Sequence, residues 1–347
     1  MSTPEIDARS APGFNPGLSM ARWLLPPVLS SSIDSLGGQL SQICGYQLGM
    51  YDVDGHKTGR VAGKLIRPAF TLLCTQAVGG RPEDALPASA AIELLHNASL
   101  IHDDIMDGDQ ERRHRPTVWA KFGEPMAILA GDALIALGFE AIAGYQHPAA
   151  ARSTAVLAAT LRKLAVGQEL DLRFESEATV SVDECLAMMG GKTGVLLGCS
   201  CRLGSAYASA PAEWSVRFER FGYHLGIAFQ LVDDLLGIWG DPHVTGKPVG
   251  SDLHARKKSA PVVAALATTT TGAHWIAARY ASPDPLTGDE VTELADAIDE
   301  AGGRAWTRVE ADRQISIAWD LIDGLDLDQS ARSHLASLTT TLMKRES

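Results

Sequence analysis

The sequence predicts an all-α fold in one domain, and three observations carry that prediction. Apolar residues recur at helical spacing through most of the 347-residue chain. Alternating apolar–polar runs bounded by turn residues, the mark of strands, are scarce. Alanine and glycine are spread through the apolar segments, which suits helices packed closely against one another. A hydrophobic content of 46% is enough to fill a large core, and no repeat of solenoid period is present.

The N-terminal "MSTPEIDARSAPGFNPG" is rich in Pro, Ser and Gly and lacks an apolar h-region, so it does not read as a secretory leader. Residues 1–20 are expected to be a flexible arm and residues 21–347 one domain. After Pro87, residues 86–107 contain no Pro or Gly and place Ala88, Ile92, Leu95 and Ser99 on one helical stripe. "MAILAGDALIALGFEAIAG" is the most apolar stretch. It carries Asp132 and Glu140 and falls short of the roughly 20 clean apolar residues of a membrane span, so a cytoplasmic protein without a transmembrane segment is expected. Residues 214–239 form another long helix, in which Gly222, Gly226 and Gly237 lower the intrinsic propensity and packing must compensate. In "EVTELADAIDEAGG", Val291, Leu294 and Ile298 share a face, Thr287 or Asp289 caps the start, and Gly302-Gly303 stops the helix.

The five cysteines are odd in number and scattered through a long chain, which argues against a disulfide framework. Cys199 and Cys201 sit in an apolar stretch, complete no zinc spacing, and read as small core residues. The net charge of −12 argues against nucleic acid as a partner.

Two breaks between helices carry unusual chemistry. "IHDDIMDGDQERRHRP" ends an apolar helix with Asp103, Asp104 and Asp107, then supplies Arg112, Arg113, His114 and Arg115. Asp103 and Asp107 are one turn apart on a helix face, where like charges repel unless a cation intervenes. Oxygen ligands of this kind suit Mg²⁺, which takes one or two carboxylates together with phosphate oxygens and water. The second break, "FQLVDDLLGIWGDP", holds Asp233, Asp234 and Asp241, and cations follow at Lys247, Arg256, Lys257 and Lys258. If the helix continues, Asp233 and Asp241 share a face, with Gly237 between them. Carboxylates, Mg²⁺ and cations together describe a site for a multiply charged phosphate ligand. No Walker-type glycine loop is present, which disfavours a nucleotide site.

With both motifs in hand, the chain resembles the trans-isoprenyl diphosphate synthases, or polyprenyl synthetases, and among them geranylgeranyl diphosphate synthases. "GKLIRP", "DDIMDGDQERR", "GQELDL", "GKTGVLLG", "FQLVDDLLGIWGD" and "TGKPVGSDL" occur in the family's order across roughly residues 40–320. The resemblance implies a bundle of about ten or more helices around a deep central cavity, usually as a homodimer. It implies head-to-tail condensation of isopentenyl diphosphate with an allylic diphosphate, assisted by two or three Mg²⁺ ions. Carried over residue by residue, Asp103, Asp107 and Asp233 would ligate the metal, with Asp104, Asp234 and Asp241 in support. Arg112, Lys192, Lys247 and Lys257 would hold the allylic diphosphate; Lys64, Arg67, His96 and Arg113 would hold isopentenyl diphosphate. Thr193 and Gln230 would sit near the developing cation. Other readings stand beside these. His96 also fits a satisfied core histidine, Gln168 and Asp171 also fit helix packing, and Arg256 and Lys258 compete with Lys257.

Two departures from the family pattern are visible. Gly237 replaces the third acid of the second motif, and His114-Arg115 follow the arginine pair where a glycine is usual. Product length in this family is gated just upstream of the first motif. Ala98 and Ser99 are small, so the floor is expected deeper, at Leu95 or Ile92, and the expected product is the twenty-carbon geranylgeranyl diphosphate. Alternatives are a farnesyl or longer polyprenyl diphosphate synthase, a class I terpene cyclase on the same fold, a non-catalytic partner subunit, and an HD-type phosphohydrolase reading "HDD" as metal ligands.

Overall fold

A computed structural model describes residues 15–241, 249–282 and 284–343 of the chain. Helix α1, Pro16–Leu36, begins inside the span expected to be an arm. Asn15 accepts a hydrogen bond from the Leu18 amide at 3.1 Å and Pro16 sets the first turn, so the chain is helical before residue 21. Helices α2 (Gly38–Gln47), α3 (Ile66–Ala77) and α4 (Leu86–Met106) follow. A two-residue hairpin, β1 (Glu111–Arg112) with β2 (Arg115–Pro116), leads into α5 (Val118–Phe122), α6 (Glu124–Ala143), α7 (Ala150–Ser176) and α8 (Val182–Met189). Gly190–Gly194 is a π turn, continued by α9 (Val195–Tyr207) and α10 (Ala212–Trp239). The C-terminal part adds α11 (Ser251–His254), α12 (Ala260–Leu266), α13 (Thr271–Ala281), α14 (Gly288–Glu300), α15 (Gly303–Ile322) and α16 (Gln329–Met343).

The helix signals read from the sequence are used. Thr287, not Asp289, caps α14, in a reciprocal box with Glu290. Its Val291, Leu294 and Ile298 are buried against the Leu253, Val262 and Ile276 side chains of α11–α13. Among the described residues, the hairpin is the only paired sheet. All five cysteines are buried thiols.

One continuous core runs through α1–α4, α6, α9 and the C-terminal end. Its centre is α9 packed against α3 and α10. Gly226 of α10 lies so close to the π turn that a Cβ there would stand 2.6 Å from Gly194 Cα. A second core, with Phe174, Met188, Met189, Leu231, Val232 and Val263, backs the last turns of α10. Helix α6 is long and apolar enough to cross a membrane by length and composition, which the expectation of no such segment understated. Here it lies along α4, and a Cβ at Gly138 would fall 2.4 Å from Leu95 Cδ1.

Candidate active site

The first acid group closes α4. Asp103 and Asp104 lie in its last turn and Asp107 is the capping residue just beyond. The chain then turns through the hairpin, whose central residues Arg113 and His114 both have positive φ, +54° and +60°. That is the conformation a two-residue primed hairpin turn demands, and glycine usually supplies it. His114 therefore fills a turn position, exposed and left-handed. Arg115 is also accounted for: it donates to the Tyr51 carbonyl at 2.9 Å and its guanidinium lies 4.2 Å from the Tyr46 ring centre, tying the hairpin to the preceding loop.

The hairpin turns Arg112 back onto α4. Arg112 Nε donates to Asp104 Oδ1 at 2.6 Å. Asp104 is almost fully buried, and burial pushes its carboxyl up to about 6, with Arg112 opposing. Its Oδ2 is buried with no hydrogen-bond partner. Burial also raises the Asp103 carboxyl; Lys192 pulls it down and Asp107 adds to the rise. Lys192 comes from the π turn and is paired with Asp171 of α7. Burial pulls the Lys192 ammonium down, but Asp171, Asp103 and Asp107 outweigh it and hold the charge. Asp171 thus belongs to the site, whereas Gln168, one turn earlier, is buried.

The second acid group is organised from α10. Thr193 Oγ1 donates to Gln230 Oε1 at 2.9 Å, and Gln230 Nε2 donates to Asp234 Oδ1 at 3.1 Å. Asp234 Oδ2 accepts from the Ala260 amide at 2.8 Å. Burial, then the charge of Asp252, pushes Asp234 up to about 7. Asp234 therefore ties α10 to the start of α12, and its neighbour Asp233 stands on the more open side. The expected Asp233–Asp241 face does not form, because α10 ends at Trp239 and Gly240 is extended.

A third cluster is cationic. Arg67 of α3 donates to His96 Nε2 of α4 at 3.1 Å. A Cβ on Gly63 would lie 3.1 Å from Arg113 Nη1, so Arg113 reaches across to the residue beside Lys64. Burial lowers the Arg67 guanidinium against the opposing charges of Glu93 and Asp233, and its Nε has no partner. Burial, followed by Arg67, Arg113 and Arg112, drives His96 well below its ordinary value. The hydrogen bond to Arg67 ties the ring to this cluster.

The depressed His96 has a consequence for stability. The unfolded chain takes up a proton near pH 6.5 where the folded chain does not, so stability rises with pH and is lost as pH falls below about 6.5. His96→Gln should flatten the fall in melting temperature between pH 7.5 and 5. An unchanged acid limb would contradict the buried neutral ring.

Of the competing cations, Lys258 donates to the Phe174 carbonyl at 2.6 Å and Arg256 to the Asp284 carbonyl, so both are spent on backbone. Lys257 is exposed between them. Lys247 lies outside the described residues. Ser99 is partly open on the stripe of Asp103, and Ala98 and Leu95 are buried, with Leu95 against Gly138 of α6. Gln168, Asp171 and Asp252 were weak or absent in the sequence reading, since nothing in their spacing pairs them with Lys192 or Gly237. Asp52, Asp54 and His56 also form an acidic group, exposed in the loop before α3 and engaged with its own backbone amides.

An all-α bundle that gathers carboxylates from two helix ends beside partly buried cations has the isoprenoid synthase type of fold. The polyprenyl synthetase family profile matches residues 56–298. The chain is 38% identical over 335 residues to a (2E,6E)-farnesyl diphosphate synthase of Mycobacterium bovis, covering 95% of this chain and 93% of that one. It is 43% identical over 302 residues to a geranylgeranyl diphosphate synthase of Mycobacterium tuberculosis, covering 87% and 86%. The crystal structure of a polyprenyl synthetase from Streptomyces coelicolor superposes with a TM-score of 0.90 at 42% identity, over 94% of this chain and 98% of that one. The chain belongs to the polyprenyl synthetase family and is a trans-prenyltransferase, an isoprenyl diphosphate synthase.

Proposed function

We propose that this enzyme condenses isopentenyl diphosphate with allylic diphosphates up to geranylgeranyl diphosphate, assisted by two or three Mg²⁺ ions. One observation carries the reading: Lys192 stands among Asp103, Asp107 and Asp171, while Arg67 answers to both Glu93 and Asp233. A cation site and an anion site therefore adjoin. The oxygen donors of Asp103, Asp107 and Asp233 suit a hard cation, and the unpartnered Arg67 Nε fits a diphosphate.

Asp103, Asp107 and Asp233 would hold the metal, which supplies charge stabilisation to the leaving diphosphate. Asp104 fixes Arg112, and Asp234 fixes Gln230 and α12. Arg112, Lys192, Lys257 and, outside the described residues, Lys247 would hold the allylic diphosphate. Lys64, Arg67, His96 and Arg113 would hold isopentenyl diphosphate without metal. Neutral His96 would offer a hydrogen bond to the isopentenyl diphosphate. Thr193 and Gln230 present oxygen atoms near the reacting carbons, and the apolar helices exclude water.

The relatives include farnesyl, geranylgeranyl and geranylfarnesyl diphosphate synthases, so shorter, equal and longer chains than twenty carbons are the products to compare. The small, partly open Ser99 favours twenty. Incubation with isopentenyl diphosphate, each allylic primer and Mg²⁺, followed by product sizing, should give the twenty-carbon chain, and Ser99→Phe should shorten it. No condensation product from the purified chain would overturn the reading, and a fifteen-carbon product from the wild type would replace its length.

The reading includes a homodimer, supported by the outer face of α6. Ile128 and Leu129 are 42% and 50% exposed there, and Met106 at the end of α4 is 43% exposed. Leu129→Glu should convert a dimer to monomer in light scattering after gel filtration. A dimer that survives this change would place the interface elsewhere.

A further inference from the structure

We propose that a groove behind the turn carrying Lys192 is a second binding site, for a prenyl phosphate, an apolar chain ending in a phosphate group, and that filling it slows the enzyme. The inference rests on the diphosphate-synthase reading above for its choice of ligand.

The groove is a cavity of about 480 Å³ among α7, α8, the π turn, α9 and α10. Small-molecule sites span about 300–1,000 Å³, so it is large enough to hold one. Val166 and Leu170 of α7, Val195 of α9 and the Tyr223 ring of α10 make its walls apolar. Val166 is 56% exposed, so this apolar surface opens to solvent. The groove is distinct from the acid site. Lys163, Val166 and Leu170 recur at helical spacing along one face of α7, whereas Asp171 lies about 100° round from Leu170. Asp103, Lys192 and Asp233 do not line it.

Charge selects the ligand. Arg162, Lys163 and Arg220 line the same groove and are exposed, and among the described residues none of the three makes an ion pair or a side-chain hydrogen bond. Glu219, the carboxylate among the lining residues, is paired with Arg202. The Tyr223 hydroxyl also makes no hydrogen bond among the described residues. In a chain of net charge −12, three unpaired cations beside an apolar trough mark a place for an anion with an apolar tail. A fatty acid brings one negative charge to three cations, whereas a phosphate monoester brings about 1.5 to 2. Prenyl phosphates are the amphiphilic anions that this enzyme's own reaction class handles.

The back of the groove is the turn that carries Lys192 and Thr193. A Cβ on Gly167 would lie 2.3 Å from both Gly191 C and Lys192 N, and one on Gly190 would lie 2.0 Å from Tyr223 Oη. The turn is therefore clamped between two walls of the groove. Lys192 is paired with Asp171, the neighbour of Leu170, and must loosen that pairing to hold an allylic diphosphate. A chain wedged between Leu170 and Tyr223 holds the turn as it stands and keeps Lys192 on Asp171.

The test uses the full-length protein with farnesyl monophosphate as the probe. Isothermal titration in EDTA removes the metal on which binding among the aspartates depends, and binding in the groove should persist. Lys163→Glu with Arg220→Glu, and separately Val166→Glu, alter exposed side chains and should weaken this binding about 10-fold or more while basal turnover stays unchanged. In the wild type the same compound should lower kcat about 5-fold at saturation. Excess allylic substrate should not relieve that inhibition, and the variants should lack it. Metal-free binding that is absent, equally tight in the variants, or without effect on kcat overturns the inference and leaves the synthase reading standing. Oleate or anionic phospholipid vesicles binding as tightly as farnesyl monophosphate would overturn the prenyl ligand. If the wild type forms no condensation product at all, the synthase reading falls and the inhibition with it, while the titration upholds or overturns the groove independently.

Discussion

Asp103→Ala and Asp233→Ala should each cut turnover on the order of 10²–10³-fold or more while the fold survives. Both side chains are only partly buried, so deleting either opens no core cavity and gives up only a partly exposed charge, Asp103 toward Lys192 and Asp233 toward Arg67. The loss falls on the charge that must be balanced as diphosphate leaves. Asp104 and Asp234 differ in kind. They are buried, one holds Arg112 and the other joins Gln230 to the Ala260 amide, so their alanine variants should lose stability as well as rate. Steady-state kinetics with melts of the same preparations separate the two classes. Near-normal turnover in Asp103→Ala or Asp233→Ala would overturn the metal assignment.

Gly226→Val should cost about 3 kcal/mol or prevent folding. The added Cβ would meet Gly194 Cα at 2.6 Å, Gly194 N at 3.0 Å and the Thr193 carbonyl at 3.1 Å, and all three are backbone atoms that no rotamer can move aside. The same approach sets the Thr193–Gln230 hydrogen bond, so a surviving variant should also lose activity. Urea denaturation measures the first effect. Gly288→Ala, with no atom within 4 Å of the added carbon, is the control and should leave stability nearly unchanged. Equal midpoints for the two variants would show that the α10–π-turn contact is looser than the structure has it.

Much of the molecule was legible one helix at a time. Periodicity and capping residues marked α4, α10 and α14 to within a few residues, because an amphipathic helix announces itself within its own window. The acid pairs were legible for the same reason: their spacing and their place at helix ends are local facts. One miss was local: Asn15 caps α1 through the Leu18 amide three residues on, so the helix starts before residue 21. What else stayed illegible were contacts that cross between elements. Arg115, whose role the sequence left open, anchors Tyr46 and Tyr51.

Read alone, the chain specifies an all-α bundle, two acid-ending helices and a set of cations suited to diphosphate, since helical period, charge type and motif order are written in neighbouring residues. The fold decided which cation meets which acid: Arg112 with Asp104, Lys192 with Asp171, Arg67 with His96. It also decided that Asp252 lies over Gly237. The physical reason is distance. Pairing across α4, α7, the π turn and α10 depends on how closely those helices approach, and the glycines that permit the approach carry no chemistry of their own to betray what will fill the space beside them.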